Sequence, residues 1–287
     1  MSIATEITRL QNAKASIKTS IENKGVTVPS ATKLDGYSTL IDSIQTGGGG
    51  ISVDDIAQNL QPSGAITLGN SVTTIGNYAF AGKPITSITA PSVTSVSMYA
   101  LQNTSISSIT DSNFPSFGVS SDSPMAIRMS SLVSIKLTGE KITLNSGSGA
   151  LRDNTSLVSA EFPNCAKNVG ANHTAMGNAC FYGCTNLELV DIGYCTSIGG
   201  TAFYNDKKHI TLIMRKSDAL VTLGNTGNFN NSCFAKGQVG GTIYIPKVLY
   251  DHLGDGTSDD YQHATNWSTV QGYGTITWAK IEGSIYE

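Results

Sequence analysis

Ser71-Val72-Thr73-Thr74-Ile75-Gly76-Asn77-Tyr78-Ala79-Phe80 closes on a small residue followed by a bulky apolar one, and that pair recurs downstream. It returns as Ala100-Leu101, Ala126-Ile127, Ala150-Leu151, Cys180-Phe181, Ala202-Phe203 and Cys233-Phe234, at intervals of 21, 26, 24, 30, 22 and 31 residues. Six to nine residues after most of these small residues comes a short alternating run. Examples are Ile85-Thr86-Ser87-Ile88, Ile106-Ser107-Ser108-Ile109, Leu132-Val133-Ser134-Ile135 and Leu187-Glu188-Leu189-Val190. Such alternation marks a strand whose side chains point in and out by turns. A self-similar unit of roughly 20–30 residues is the mark of a stacked solenoid.

One unit of this size cannot bury its own apolar face, so stacked neighbours must bury it for each other. The small residue is expected where backbones approach closely. Phe80, Leu101, Ile127, Leu151, Phe181, Phe203 and Phe234 are expected to fill the core. Ile85 and Ile88 are an odd number of positions apart, so strict alternation would bury only one of them. The pattern therefore predicts a bend just after the strand. Pro91, Pro115, Pro163 and Pro246 follow four such runs and would end them, because proline has no N–H for a ladder.

The decapeptide Ser71–Phe80 resembles the start of a BspA-like leucine-rich repeat, as do Cys180-Phe181-Tyr182-Gly183-Cys184-Thr185-Asn186-Leu187 and Ser197-Ile198-Gly199-Gly200-Thr201-Ala202-Phe203. The resemblance spans residues 65–250 and implies a mostly β repeat solenoid. The chain departs from the family pattern with inserts near 111–130 and 164–178, and with Leu101, Ile127 and Leu151 in place of Phe. Thr242-Ile243-Tyr244-Ile245-Pro246 and Ala264-Thr265-Asn266-Trp267-Ser268 resemble the terminator of such arrays. Residues 251–287 are thus expected to cap the last open core edge, interrupted by the insert Leu253–Tyr261. Thr275-Ile276-Thr277-Trp278 and Ile281 predict a final strand.

The first 46 residues differ in kind. Ile3, Ile7, Leu10, Lys14, Ile17 and Ile21 recur by fours and threes, a heptad seam with one lysine in it. Isoleucine at both core positions favours trimers or tetramers, and a polar core residue can set register. A homotrimer through this helix is the expectation, and an amphipathic helix docked on its own domain is the other reading. Val26-Thr27-Val28-Pro29 breaks the helix, and Leu34, Tyr37, Leu40, Ile41 and Ile44 suggest a second, shorter one. Gly47 to Gly50 reads as a flexible linker. No Lys-Ser or Lys-Thr follows it, so it is not a phosphate loop. Ser52 with Asp55 has the form of a capping box, and residues 51–64 are expected to cap the solenoid.

Ala4-Thr5-Glu6-Ile7-Thr8-Arg9-Leu10, Lys24-Gly25-Val26-Thr27-Val28-Pro29 and Leu34-Asp35-Gly36-Tyr37 are similar to the openings of bacteriophage tail and virion-appendage proteins. That resemblance implies an attachment domain that trimerises or docks on other virion proteins. It also implies a virion location, with assembly in the host cytoplasm.

Composition narrows the function classes. Charged residues make up 14% of the chain, against about 25% in an average protein. The net charge is −3 and no Lys/Arg run occurs, which argues against nucleic acid or an anionic membrane as partner. A surface of hydroxyls and amides suits a host surface protein or glycan, and equally suits mere solubility. The N-terminus shows no apolar signal-peptide core, and no segment is apolar enough to span a membrane. The five cysteines Cys165, Cys180, Cys184, Cys195 and Cys233 are an odd number, which argues against a disulfide framework. Cys180, Cys184 and Cys195 with His173 could suggest zinc, but Cys180 and Cys233 stand where alanine stands elsewhere in the repeat. They read as small packed hydrophobes.

No G-x-S-x-G, H-E-x-x-H or Walker pattern occurs, and His173, His209, His252 and His263 are scattered. Asp251, Asp255, Asp259 and Asp260 miss the EF-hand spacing and read as a solvated acidic turn. Glycan hydrolysis needs two carboxyl groups across a cleft. Glu140, Glu161, Glu188 and Asp191 lie near strands without an identifiable pairing. Tyr78, Tyr99, Tyr182, Tyr194 and Tyr204 sit at or near the repeated pairs and read chiefly as ladder residues beside the core, of a type that also stacks on sugars. The expectation is a non-enzymatic protein without cofactor or metal, a tail-fibre or receptor-binding appendage that recognises the host surface. A bacterial surface adhesin, an architectural virion protein and a polysaccharide depolymerase are the alternatives.

Overall fold

The computed structural model describes residues 3–22, 27–33, 64–97, 99–115, 123–124, 127–144, 149–170, 174–204, 206, 209–224, 233–234, 241–264, 266–268 and 276–282. The suggested second helix, the glycine linker, the cap over 51–64 up to Ser63, and His173 lie outside these residues. The chain divides into two compact units, Met1–Gly49 and Gly50–Glu287. In the first, helix α1 spans Ile3–Glu22, braced near its end by a Lys18–Glu22 ion pair one turn apart at 3.6 Å.

The second unit is a succession of coils between two walls of parallel strands. One wall holds three-residue strands: β1 (Ala65–Thr67), β3 (Ser87–Thr89), β5 (Ser108–Thr110), β7 (Ser134–Lys136), β9 (Ser159–Glu161), β11 (Leu189–Asp191) and β13 (Thr211–Ile213). It closes with the longer β15 (Gly241–Ile245) and β16 (Ile276–Lys280). The other wall holds two-residue strands: β2 (Thr74–Ile75), β4 (Ser95–Val96), β6 (Ser123–Pro124), β8 (Ile142–Thr143), β10 (Ala175–Met176), β12 (Ser197–Ile198) and β14 (Thr222–Leu223). Strands β5 to β16 of the first wall form one sheet in which every neighbour is parallel. Ser134 lies opposite Ser108, Ser159 opposite Ser134, Leu189 opposite Ser159 and Thr211 opposite Leu189. Each of these offsets matches, to within a residue, the interval between the corresponding small–bulky pairs in the sequence.

The small–bulky pair is a rung. The N–H of Phe80 donates to Ala100 O at 2.8 Å, that of Leu151 to Cys180 O at 2.8 Å, and that of Phe181 to Ala202 O at 2.8 Å. Ile127 to Ala150 and Phe203 to Cys233 repeat the bond. The small residue's carbonyl accepts from the preceding coil, and the side chains of Ala100, Ala150, Cys180, Ala202 and Cys233 are fully buried, which limits their size. The bulky side chains of all seven pairs point inward and are buried. Phe203 lies stacked between Phe181 and Phe234, with ring centroids at 5.5 and 5.0 Å. The strand centres Ile66, Ile88, Ile109, Ile135, Ala160, Val190 and Leu212 supply the opposite side of the core.

The predicted bend is on the other side of the strand. Ile85 and Ile88 are both fully buried, but β3 starts only at Ser87. Ile85 belongs to the turn that leads into it, where its N–H bonds Lys83 O at 2.8 Å. Only Ser87-Ile88-Thr89 alternates out–in–out, so the direction change precedes the ladder rather than following it. Strands β3, β9 and β15 do end before Pro91, Pro163 and Pro246.

The last coil is closed by residues after β15, which is followed by helix α2 (Lys247–Tyr250). The Val221 N–H donates to the Tyr261 hydroxyl at 2.9 Å, and Trp267 Nε1 donates to Val221 O at 2.7 Å. Asn266 donates to Leu223 O at 3.0 Å. These side chains take up backbone groups at β14, the edge of the short-strand wall. Trp267 also continues the aromatic column at 6.4 Å from Phe234 and is crossed edge-on by Tyr261 at 5.3 Å.

A buried polar file runs three positions after the bulky residues. Thr104 Oγ1 donates to Leu101 O at 3.0 Å. Asn154 Nδ2 donates to Leu151 O at 2.7 Å and Ile127 O at 2.9 Å, and the Cys184 thiol donates to Leu151 O at 3.1 Å. Asp206 occupies the same place, but among the described residues neither carboxyl oxygen has a hydrogen-bond partner, and burial pushes its pKa up to about 9 from an ordinary 3.8.

Two predictions follow from this packing. Phe203→Ala removes a ring from the middle of the column and is expected to cost about 3–5 kcal/mol in denaturant unfolding; a loss below 1 kcal/mol would mean that the column is not structural. Between pH 3.8 and about 9 folded Asp206 keeps a proton that the unfolded chain has released, so its contribution makes stability fall as pH rises across that window. In Asp206→Asn the amide can donate to a carbonyl as Asn154 does. Melting temperatures measured from pH 4 to 9 should lose that part of their slope, and an unchanged slope would clear the carboxyl of responsibility.

Candidate interaction surfaces

In α1 the positions Ile3, Ile7, Leu10, Lys14, Ile17 and Ile21 fall within an arc of about 80°, given 3.6 residues per turn. Ile7 is 51% exposed and Ile17 39% exposed, whereas Lys14 is half-buried and Ile21 is buried. The side chains of Ile3 and Leu10 lie outside those described. An isoleucine left in water forfeits about 1.5–3 kcal/mol of burial, and here two share one arc. This side of α1 is therefore a surface that gains from being covered.

The outer face of the long-strand wall is plain by comparison. Its first row reads Ser87, Ser108, Ser134, Ser159, and Ser134 Oγ bonds Ser108 Oγ at 3.1 Å. In the neighbouring row Lys136 pairs with Glu161 at 3.2 Å. Asp191 is buried and gripped by Arg215 at 2.7 Å, with the Gly193 N–H at 3.0 Å. Burial pushes its carboxyl up, against the pull of that guanidinium. Glu140 pairs with Lys167 at 3.1 Å. Three of the four carboxylates that sequence offered for glycan chemistry are thus each engaged by a cation.

All five cysteines are buried as thiols, Cys165 Sγ lying 3.8 Å from Cys195 Sγ. Burial pushes the Cys180 and Cys184 thiols well up, which keeps them unreactive. The acidic insert is not uniformly solvated. Asp251, Asp255 and Asp259 are exposed, but Asp260 is buried. It accepts the N–H groups of Gly254 at 3.0 Å, Gly256 at 3.1 Å and Gln262 at 2.8 Å, and pairs with His263. Against the desolvation of burial, those bonds hold its carboxyl below the usual range. Asp260 is thus the knot that shapes the loop placing Tyr261 in the cap. No residue pattern displays this knot, because three of its donors are backbone N–H groups, two of them from glycines with positive φ.

The turns that carry the small–bulky pairs form a rim rich in aromatic and cationic groups. Tyr78, 55% exposed, meets Tyr99 at 5.3 Å between centroids. Tyr182 and Tyr204 stack at 5.3 Å, 16° from parallel. The Arg152 guanidinium lies 4.5 Å from the Tyr182 ring centre, and both Arg128 and Arg152 pair with the single Asp153. Tyr194 stands apart from the rim pairs, beneath Lys167 at 5.7 Å.

Parallel coils with a β wall, a hydrogen-bonded rung in each turn and a continuous apolar interior define a leucine-rich repeat solenoid. The chain belongs to the BspA type leucine-rich repeat family, whose repeat region, in six copies, matches residues 58–173 and 129–238. Its structure is similar to that of a leucine-rich repeat protein from Bacteroides ovatus ATCC 8483, at 16% identity over 76% of this chain and 54% of the other, with a TM-score of 0.40. The chain spans about half the length of that protein. No curated protein matches it in sequence. Among the described residues, no helix is long and apolar enough to cross a membrane.

Proposed function

We propose that the chain is a non-enzymatic recognition protein, a bacteriophage appendage of the tail-fibre or receptor-binding type that engages the host surface through its solenoid. The observation that supports this is the pairing of a repeat unit, poor in charge and rich in surface hydroxyl and aromatic groups, with a separate unit whose helix exposes Ile7 and Ile17 on one arc. The helix would join sister chains, as a trimer, or dock on other virion proteins. The solenoid would present the same surface several times over, so that weak single contacts add up through effective concentration. An adhesin on a bacterial surface would use the solenoid in the same way but would be carried by cells instead of particles.

Two experiments test this reading. Ile7→Asp combined with Ile17→Asp should abolish self-association in analytical ultracentrifugation while leaving the repeat melting transition in place; an oligomer that survives has another basis. Fluorescent full-length chain and a chain beginning at Ile51 should both bind host cells, the shorter one more weakly. If neither binds any host that the parent particle infects, the protein is architectural and its partner lies within the particle.

A further inference from the structure

We propose that the rim of the solenoid binds an acidic glycan, a polysaccharide strand whose sugars carry carboxylates. This rests on the recognition role above and names the chemistry of its ligand. The residue after the bulky member of each pair is Arg128, Arg152, Tyr182 and Tyr204 in four successive coils. Coils stacked at the parallel-strand spacing of about 4.8 Å present these four side chains in single file over about 15 Å. A file of groups with one constant step matches a ligand that is itself a linear repeat.

The file is built for carboxylated sugar. The Tyr182 and Tyr204 rings form a nearly parallel pair, and the apolar faces of pyranose rings stack on such surfaces. Arg128 and Arg152 are 41% and 43% exposed, and they share one carboxylate, so the cluster keeps a net positive charge. Guanidinium groups take carboxylates through paired N–H bonds, and stacking on Tyr182 holds Arg152 in place for that contact. In a chain with 14% charged residues, two arginines set in line with stacked tyrosines are a local concentration of both recognition chemistries.

Further along the rim, Tyr78 and Tyr99 precede the small residues of their coils at φ 58° and 56°, the left-handed turn conformation that Gly149, Ala179 and Thr201 share at the same place in their own coils. Tyr78 is mostly exposed. The two tyrosine pairs flank the arginines along the order of coils, which gives a longer ligand a stacking platform on either side of the charge.

The test is titration of the full chain with oligosaccharides of polygalacturonate, alginate and hyaluronan, and with dextran as a neutral strand, followed by isothermal calorimetry and affinity electrophoresis. At least one polyuronate should bind at least tenfold more tightly than dextran, and added salt should weaken it. Arg152→Gln should remove most of that preference. Tyr182→Ala with Tyr204→Ala should weaken polyuronate binding at least tenfold, Tyr182→Phe with Tyr204→Phe should retain it, and Lys247→Gln should leave it unchanged. Melting curves identify any variant that fails to fold, in which case the Phe pair and Arg152→Gln decide. Equal binding of dextran, or no binding of any polyuronate, overturns the inference. If host cells are still bound in that case, the recognition role stands with a different ligand; if they are not, that role fails as well.

Discussion

The backbone bond from the bulky residue of one coil to the small residue of the next is the constraint on which the rest depends. It fixes the distance between coils at each turn, from Phe80 with Ala100 to Phe203 with Cys233. Once that distance is set, the aromatic column, the strand ladders and the rim all repeat with the same step. Burial explains the residue choice. The accepting Ala or Cys points into a filled core, and a larger side chain there would overpack it. A smaller one at the donating position would leave the space between the walls unfilled, with the cavity cost that follows.

A stack of this kind has two ends, and each end exposes what the middle hides. At the C-terminal end the solution is made of side chains more than of strand. Tyr261 and Trp267 supply the donor and acceptor that a further coil would have supplied to Val221, and Trp267 covers the last ring of the column. Their placement depends on a loop tied to the buried carboxylate of Asp260. The long-strand wall is extended separately, by β15 and β16 in parallel.

Low charge gives the surface its character. Most of the carboxylates near the strands are committed to pairs within the fold, and Asp191 with Arg215 is committed in a buried one. Removing either partner would leave an uncompensated buried charge, so these groups are structural in effect. What remains open to a partner is hydroxyl, amide and aromatic surface, plus the arginine cluster on the rim. In the separate N-terminal unit it is the isoleucine arc of α1.

The solenoid was legible in the chain because its logic is local and repeated. The small–bulky pair, its intervals and the short alternating runs could be read residue by residue, and the parallel offsets between strands follow those intervals. The family resemblance rests on the same residues. What could not be read was every relation that depends on how coils of unequal length come to lie side by side. That includes the bend before the strand rather than after it, the burial of Asp260 and the isolation of Asp206 in a file of bonded neighbours. The alignment of Arg128, Arg152, Tyr182 and Tyr204 on one rim belongs to the same class. A sequence by itself determines spacing, polarity and residue size along the chain. Which groups meet across it is decided only when the coils stack, since inserts between them shift sequence distance without shifting the constant step in space.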